Sequence, residues 1–285
     1  MLRDRKLTLI LLTASLLAVS HLSTYFMPVG EAERDFSDIP RAFVEAIVLL
    51  NESNHILDRA GRGVPPEEGR IADIRDRGLH ALERILEFEE SLGEGDLAEK
   101  LKMASLSYRS AAEGAVLSAN ASTTVASAFM GVREALTLAT RCRVEESLEV
   151  WEESRPLVLE AISKLRDLLK VLAGGSSEYV LSDPHAEIYD EGVALAADLL
   201  ASLEEAYMAM EVVAEHSGEF EDLCRGEEPS TNLMRAASAL KPGRAGRLSH
   251  LVASIKSRVL NCRLCQGGAD GVGGGAGYTQ PSSDD

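Results

Sequence analysis

A stretch of small residues in the middle of the chain is the strongest constraint on its fold. Residues 110–128 hold seven Ala, four Ser and two Thr, and Glu113 is their one charged residue. Small side chains let helix backbones approach closely, as in the central helix of a packed bundle. A membrane span packed through small residues is the alternative. Asn120 and six hydroxyl groups make that alternative too polar, so the stretch predicts a central bundle helix.

Helical signals continue on both sides of this stretch. Aromatic residues make up only 5% of the chain, and runs of β-branched residues are few, which favours helix over strand. Apolar residues recur at intervals of three and four, as at Phe43, Ile47 and Leu50. Gly and Pro residues interrupt this pattern at several points. We therefore predict an all-α fold, a multi-helix bundle of about six to eight helices.

Two helix boundaries are ambiguous in the sequence. Residues 134–142 either finish the central helix or start another one. Pro156 lies within an apolar pattern that continues on both sides. Because Pro lacks an N–H group and clashes with the preceding turn, we expect it to kink a helix or to begin a new one.

The N-terminal residues have the layout of an export signal. Three basic residues precede an uncharged stretch at 7–20, and Ala18 and Ser20 suit a signal peptidase site. The uncharged stretch continues to Pro28, and about 20 apolar residues suffice to span a bilayer. We therefore predict that residues 1–29 are a signal peptide or a single membrane anchor. The rest of the chain is expected to be extracytoplasmic.

Charge divides the remainder of the chain. Residues 31–229 carry a net charge of −23, whereas residues 230–265 contain seven basic residues and no acidic one. The strong acidity argues against nucleic-acid binding, because phosphates would be repelled. We predict an acidic helical bundle at 30–229, a basic helical segment at 230–265 packed on that bundle, and a disordered Gly-rich tail at 266–285. A basic amphipathic helix lying on an anionic membrane is the alternative for the basic segment.

Four cysteines follow the N-terminal segment, at Cys142, Cys224, Cys262 and Cys265. An even set in an exported chain predicts disulfides. One interpretation pairs Cys262 and Cys265 with Cys142 and Cys224, which would join the basic segment to the bundle. The alternatives are free thiols, or a metal or redox site using the Cys262-x-x-Cys265 spacing.

Two sequons accompany the export prediction. They begin at Asn51 and Asn120, which are therefore candidate glycosylation sites in an exported chain. Both lie within helical patterns rather than in loops.

One further constellation suggests a metal site. Glu52 and His55 are three residues apart on the first predicted helix, and His80 and Glu83 repeat this spacing on the second. If the two helices are antiparallel neighbours, the four side chains could converge on one metal ion, as Glu-x-x-His pairs do in di-iron bundles. Surface histidines on charged helix faces are the simpler interpretation.

The sequence contains no local catalytic motif, so we expect a protein without a catalytic centre or cofactor. It has no G-x-S-x-G motif and no Gly-rich phosphate loop. We predict an exported helical-bundle protein, a cell-surface or secreted module that binds a protein partner or contributes to envelope structure. An uncleaved N-terminal helix would also attach it to the membrane. The alternatives are a sensory ligand-binding bundle acting with a separate partner, a metal-binding or redox bundle, and a filament subunit.

Overall fold

The computed structural model describes residues 38–228 and 230–233. Within this part of the chain all regular structure is helical, which confirms the prediction of an all-α fold. The helices are α1 (Asp38–Gly61), α2 (Glu68–Ser91), α3 (Asp96–Thr140), α4 (Val144–Leu172), α5 (Asp183–Glu215) and α6 (Ser217–Arg225), with a short 3-10 helix at Ser177–Tyr179.

Several predictions concern residues outside the described part. These are the signal or anchor at 1–29, the basic segment beyond residue 233, and the tail at 266–285. Cys262 and Cys265 also lie outside the described residues. Their roles therefore stay predictions.

The described residues group into two compact units. Residues 38–133 and 151–207 form the first unit, and residues 134–150 and 208–233 belong to the second. The division falls within long helices, so neither unit is a single continuous stretch of chain.

In the first unit, α1 and α2 are antiparallel neighbours. The Phe43 ring, early in α1, meets the Phe88 ring, late in α2, edge to face at 5.6 Å between centroids. Gly63, between the helices, has a φ of 77°, a left-handed conformation that glycine adopts without steric strain. Since the start of one helix packs on the end of the other, side chains of α1 and α2 face each other along most of their length.

Helix α3 has the buried position that its composition predicts. Its small residues are almost all inaccessible to solvent; those with 1% exposure or less between positions 111 and 128 are Ala111, Ala112, Ala115, Ser118, Ala119, Ala121, Ser122, Val125, Ala126 and Ala128. A Cβ atom on Gly78 of α2 would lie only 2.6 Å from a methyl carbon of Val116. The backbones of α2 and α3 therefore approach too closely for a larger residue at position 78.

The same helix is long and apolar enough to cross a membrane, judged by length and composition alone. Its most apolar window has a mean hydropathy of 1.2, and 56% of that window is buried inside the protein. Burial of this kind is what a bundle's central helix requires. The hydropathy of α3 is therefore weak support for a membrane span.

Both ambiguous boundaries resolve into longer helices. Helix α3 continues without interruption to Thr140, so residues 134–140 finish the central helix. Pro156 lies inside α4 rather than at a helix start. Pro156 cannot donate to the carbonyl of Glu152, four residues earlier, and since both residues are exposed, that carbonyl lies on the solvated side of α4.

A polar network fixes the loop that precedes α5 in the first unit. The Tyr108 hydroxyl accepts a hydrogen bond from the Leu181 N–H at 3.0 Å and lies 3.0 Å from Nδ1 of His185. The Ser107 hydroxyl donates to the Ser176 carbonyl at 2.9 Å and accepts from the Ser176 N–H at 3.1 Å. Two adjacent α3 residues thus bind both ends of the loop.

Burial sets the ionisation of the pair at the centre of this network. It raises the pKa of Tyr108, partly opposed by the bond from Leu181, and it lowers the pKa of His185. The neutral imidazole can accept the Tyr108 proton at Nδ1 while Nε2 keeps its own proton. The pair is therefore a neutral hydrogen bond inside the core.

In the second unit, a disulfide joins Cys142 to Cys224, with 5.6 Å between the Cα atoms and a sequence separation of 82. This pair differs from the interpretation in which both cysteines pair with Cys262 and Cys265, which lie outside the described residues. Cys142 lies in the turn between α3 and α4, where its φ is 60°, and Cys224 lies in α6. The turn brings the two Cα atoms within disulfide distance.

Candidate functional site: a basic cleft between α1 and α2

The structure does not bring the four proposed metal ligands together. His55 is exposed on α1, and Nδ1 of His80 lies 3.9 Å from the Glu83 carboxylate on α2. Glu52 instead faces two arginines, at 4.0 Å from Arg70 and 3.7 Å from Arg77. Among the described residues, no three His, Cys, Asp or Glu side chains are grouped as a metal site. The described residues therefore give no support to a four-residue metal site.

What lies between these helices is a cleft lined mainly by basic side chains. Its volume is about 360 Å³. Its lining consists of residues from α1 and α2, namely Arg41, Ala42, Glu45, Arg77, His80, Ala81 and Arg84. The two alanines are nearly buried, at 8% and 3% exposure. Because these alanines are small, the longer side chains around them enclose a space open to solvent.

Helical periodicity places the basic groups of α2 together. Arg77, His80 and Arg84 are separated by three and four residues, so they lie on one face of the helix. Ala81 occupies the same face between them and provides the floor. Arg41 adds a fourth basic group from the facing helix.

Arg77 is held in place by carboxylates of both helices. Its guanidinium donates to Glu45 at 2.7 Å and to Asp73 at 3.0 Å, with Glu52 at 3.7 Å. Burial acts to lower the pKa of Arg77, but the hydrogen bonds to Asp73 and Glu45 and the charge of Glu52 outweigh it and raise that pKa. Arg77 is thus a fixed cation that orders the wall of the cleft.

Arginines are grouped in this cleft although the chain as a whole carries −17. Among the described residues, three arginines and one carboxylate line it, and Asp73 and Glu52 also contact Arg77. A guanidinium presents several N–H donors in a planar fork that matches carboxylate, sulfate and phosphate oxygens. The described arginines therefore present N–H donors that suit an anionic group.

The sequence reasoning found the edges of this site but not its centre. His80 lines the cleft, and Glu52 pairs with Arg77 beside it. The reasoning missed Arg41, Arg77 and Arg84. Basic residues at intervals of three and four on α2 were the available signal.

The two sequon asparagines both lie inside helices. Asn51 is half-buried in α1, and Asn120 is exposed on α3. In each sequon the third residue, Ser53 or Ser122, is buried. Glycosylation at either position stays a prediction.

Comparison with known proteins gives no relative for this chain. No family model, no curated protein and no solved structure matches it.

Proposed function

We propose that the protein is a non-catalytic, exported helical binding module whose α1–α2 cleft holds an anionic group of its ligand or partner. The observation that carries the proposal is the grouping of Arg41, Arg77 and Arg84 around a cleft of about 360 Å³ in a strongly acidic chain. The overall negative charge repels anions in general. Only a ligand that reaches the arginines recovers favourable contacts.

Export is supported by the sequence and by one feature of the structure. The basic and then uncharged N-terminal residues have the composition of a secretory signal. The Cys142–Cys224 disulfide is typical of oxidising compartments. Fractionation of native cells, followed by N-terminal sequencing of the protein, tests compartment and processing together. Recovery of uncut, reduced chain from the cytosol would refute export.

The cleft is compatible with two kinds of binding module. In the first, the anionic group belongs to a protein partner at the cell surface or envelope. In the second, it belongs to a small ligand, and the bundle acts as a sensor with a separate partner. The binding experiment below uses small anions, so it tests the cleft chemistry that both kinds share.

The direct test is calorimetric titration of the full chain with sulfate and with succinate at low ionic strength. We expect dissociation constants near or below roughly 1 mM, corresponding to about −4 kcal/mol. Replacing Arg84 or Arg41 by Gln removes one charge-assisted contact and should weaken binding about tenfold or more. The matched control is Arg75→Gln, since Arg75 is an exposed α2 arginine paired with Asp76 that does not line the cleft.

Two results would contradict the proposal. The first is no heat of binding for either anion at concentrations well above 1 mM. The second is equal weakening by Arg75→Gln and Arg84→Gln, which would indicate general charge screening rather than a site. Circular dichroism spectra of all variants check that the helices are retained.

A further inference from the structure

The cleft between α1 and α2 contains a hydrogen-bond acceptor as well as donors. Glu45 of α1 lines it together with the three arginines. Arg77 contacts only one oxygen of the Glu45 carboxylate: its Nε donates to Oε1 at 2.7 Å, and its Nη2 lies 2.6 Å from the same atom. Within residues 38–228 and 230–233, no hydrogen-bond donor reaches the other oxygen, Oε2. The Glu45 side chain is 38% exposed, so a ligand in the cleft can reach that oxygen.

Further carboxylates surround Arg77 next to the cleft. Its Nη1 lies 3.0 Å from Asp73 and 3.7 Å from Glu52, so three carboxylates share the charge of this one guanidinium. Arg41 and Arg84 bring additional positive charge to the lining. A ligand with negative charge alone is attracted by the arginines but repelled by the carboxylates. A ligand that carries both signs can place its anion at the arginines and its cation at the accessible Oε2 oxygen.

We infer that the cleft takes a ligand in which an ammonium group lies next to a carboxylate, the chemistry of an amino acid. The inference rests on the proposed function, because it names the ligand class of the same site. The ligand carboxylate accepts hydrogen bonds from Arg41 and Arg84, and the ligand ammonium donates to Oε2 of Glu45. Because a guanidinium has five N–H donors, an arginine can bind the ligand and keep other partners. The nearly buried Ala42 and Ala81 leave room for the carbon atoms of the ligand.

Two sources can supply this chemistry. One is a free amino acid. The other is the amino-terminal residue of a protein partner, if the side chain of that residue carries the carboxylate. Aspartate represents the first source. The α-amide of aspartate represents the second, since it keeps the ammonium and the side-chain carboxylate but lacks the α-carboxylate, as an amino-terminal residue does.

Succinate and aspartate form a matched pair of probes, because aspartate is succinate with one ammonium group added. We would titrate the full chain with each by calorimetry at low ionic strength and about pH 7, where carboxyl groups are ionised and amino groups are largely protonated. Wild type should bind aspartate roughly three- to tenfold more tightly than succinate, which is the gain expected from one partly exposed, charge-assisted hydrogen bond.

Glu45→Gln removes the negative charge that holds the ammonium and keeps an amide oxygen that can accept from Arg77. This variant should prefer succinate to aspartate, because the arginines then repel the ammonium with no carboxylate in the described lining to compensate. The ratio of the two affinities should shift roughly tenfold or more from that of wild type. Asp76→Asn is the matched control, since Asp76 is an exposed carboxylate paired with Arg75 that does not line the cleft. It should keep the wild-type preference for aspartate.

The outcomes separate this inference from the proposed function. Equal affinities of wild type for succinate and aspartate, or a preference for aspartate that survives in Glu45→Gln, would overturn the inference and leave the proposed function intact. An α-amide that binds as tightly as aspartate would support the inference with a partner's amino terminus as the ligand, and weaker binding of the amide would support it with a free amino acid. Absence of binding by sulfate, succinate and aspartate would overturn the proposed function, and this inference with it.

Discussion

Replacing Tyr108 by Phe removes one oxygen atom from the core and tests the hydrogen-bond network that fixes the loop before α5. Tyr108 is fully buried, and its ring stacks on Phe43 at 4.4 Å between centroids. Phe keeps that stacking and nearly the whole side-chain volume. The substitution therefore isolates the two hydrogen bonds of the hydroxyl group, to Leu181 and His185.

The expected loss can be worked from the two partners. His185 is 8% exposed, so its Nδ1 atom loses a hydrogen-bond partner without gaining bulk water, which costs about 1–3 kcal/mol. Leu181 is 42% exposed, so its N–H can turn to water at a cost of about 0.5–1 kcal/mol. The free energy of unfolding should therefore fall by roughly 2–3 kcal/mol.

Urea denaturation followed by circular dichroism measures this change, with no change expected in the slope against urea. Hydrogen exchange of the Leu181 amide gives a local reading, and its protection should drop more than that of amides in α1. Tyr179→Phe is the matched control, since Tyr179 is 40% exposed on the same loop, and it should change stability by less than about 0.5 kcal/mol. A Tyr108→Phe variant as stable as this control would refute the reasoning.

Three further predictions concern other parts of the fold. Replacing Cys142 and Cys224 together by Ser removes a cross-link between residues 82 positions apart and should lower the free energy of unfolding by about 2–4 kcal/mol. Urea denaturation with and without reductant measures this change. Reductant should lower the stability of wild type and leave that of the double variant unchanged. Burial lowers the pKa of His185 below its ordinary 6.5, so at mildly acidic pH the unfolded state binds more protons at this residue than the folded state does. The free energy of unfolding should therefore be full above pH 6.5 and fall as pH decreases below that value. Urea midpoints at about pH 7.5 and 5.5 test this, and a His185→Gln variant whose stability depends on pH as strongly as that of wild type would contradict it. Gly78→Leu should lower the free energy of unfolding by about 1–3 kcal/mol, since a Cβ atom at this position would lie 2.6 Å from a methyl carbon of α3. Gly69 has open space around it, so Gly69→Ala should raise the free energy of unfolding by about 0.5–1 kcal/mol. Thermal or urea denaturation measures both changes.

Local patterns were enough to predict the helices. Periodic apolar residues, Gly and Pro interruptions and the small residues of 110–128 act within a few turns of chain, and they correctly indicated an all-α fold with a buried central helix. Where local signals were balanced, as at residues 134–140 and Pro156, packing decided in favour of longer helices. Helices α3 and α4 each continue through the ambiguous point.

The candidate site was predictable only in outline. The spacing of Glu52, His55, His80 and Glu83 indicated a metal site only on the condition that α1 and α2 are antiparallel neighbours, and the structure meets that condition. It could not give the rotation of each helix about its axis. That rotation directs Arg77 and Arg84 toward the cleft and leaves His55 outside it.

The sequence by itself determined which segments are helical and which helix is buried, because those properties depend on neighbours three and four residues away. The tertiary structure decided that Cys142 pairs with Cys224 and that Arg41 of α1 joins Arg77 and Arg84 of α2 at one cleft. Both outcomes join residues tens of positions apart in the chain. Such distances are set by how helix faces pack together, and no local pattern specifies that packing.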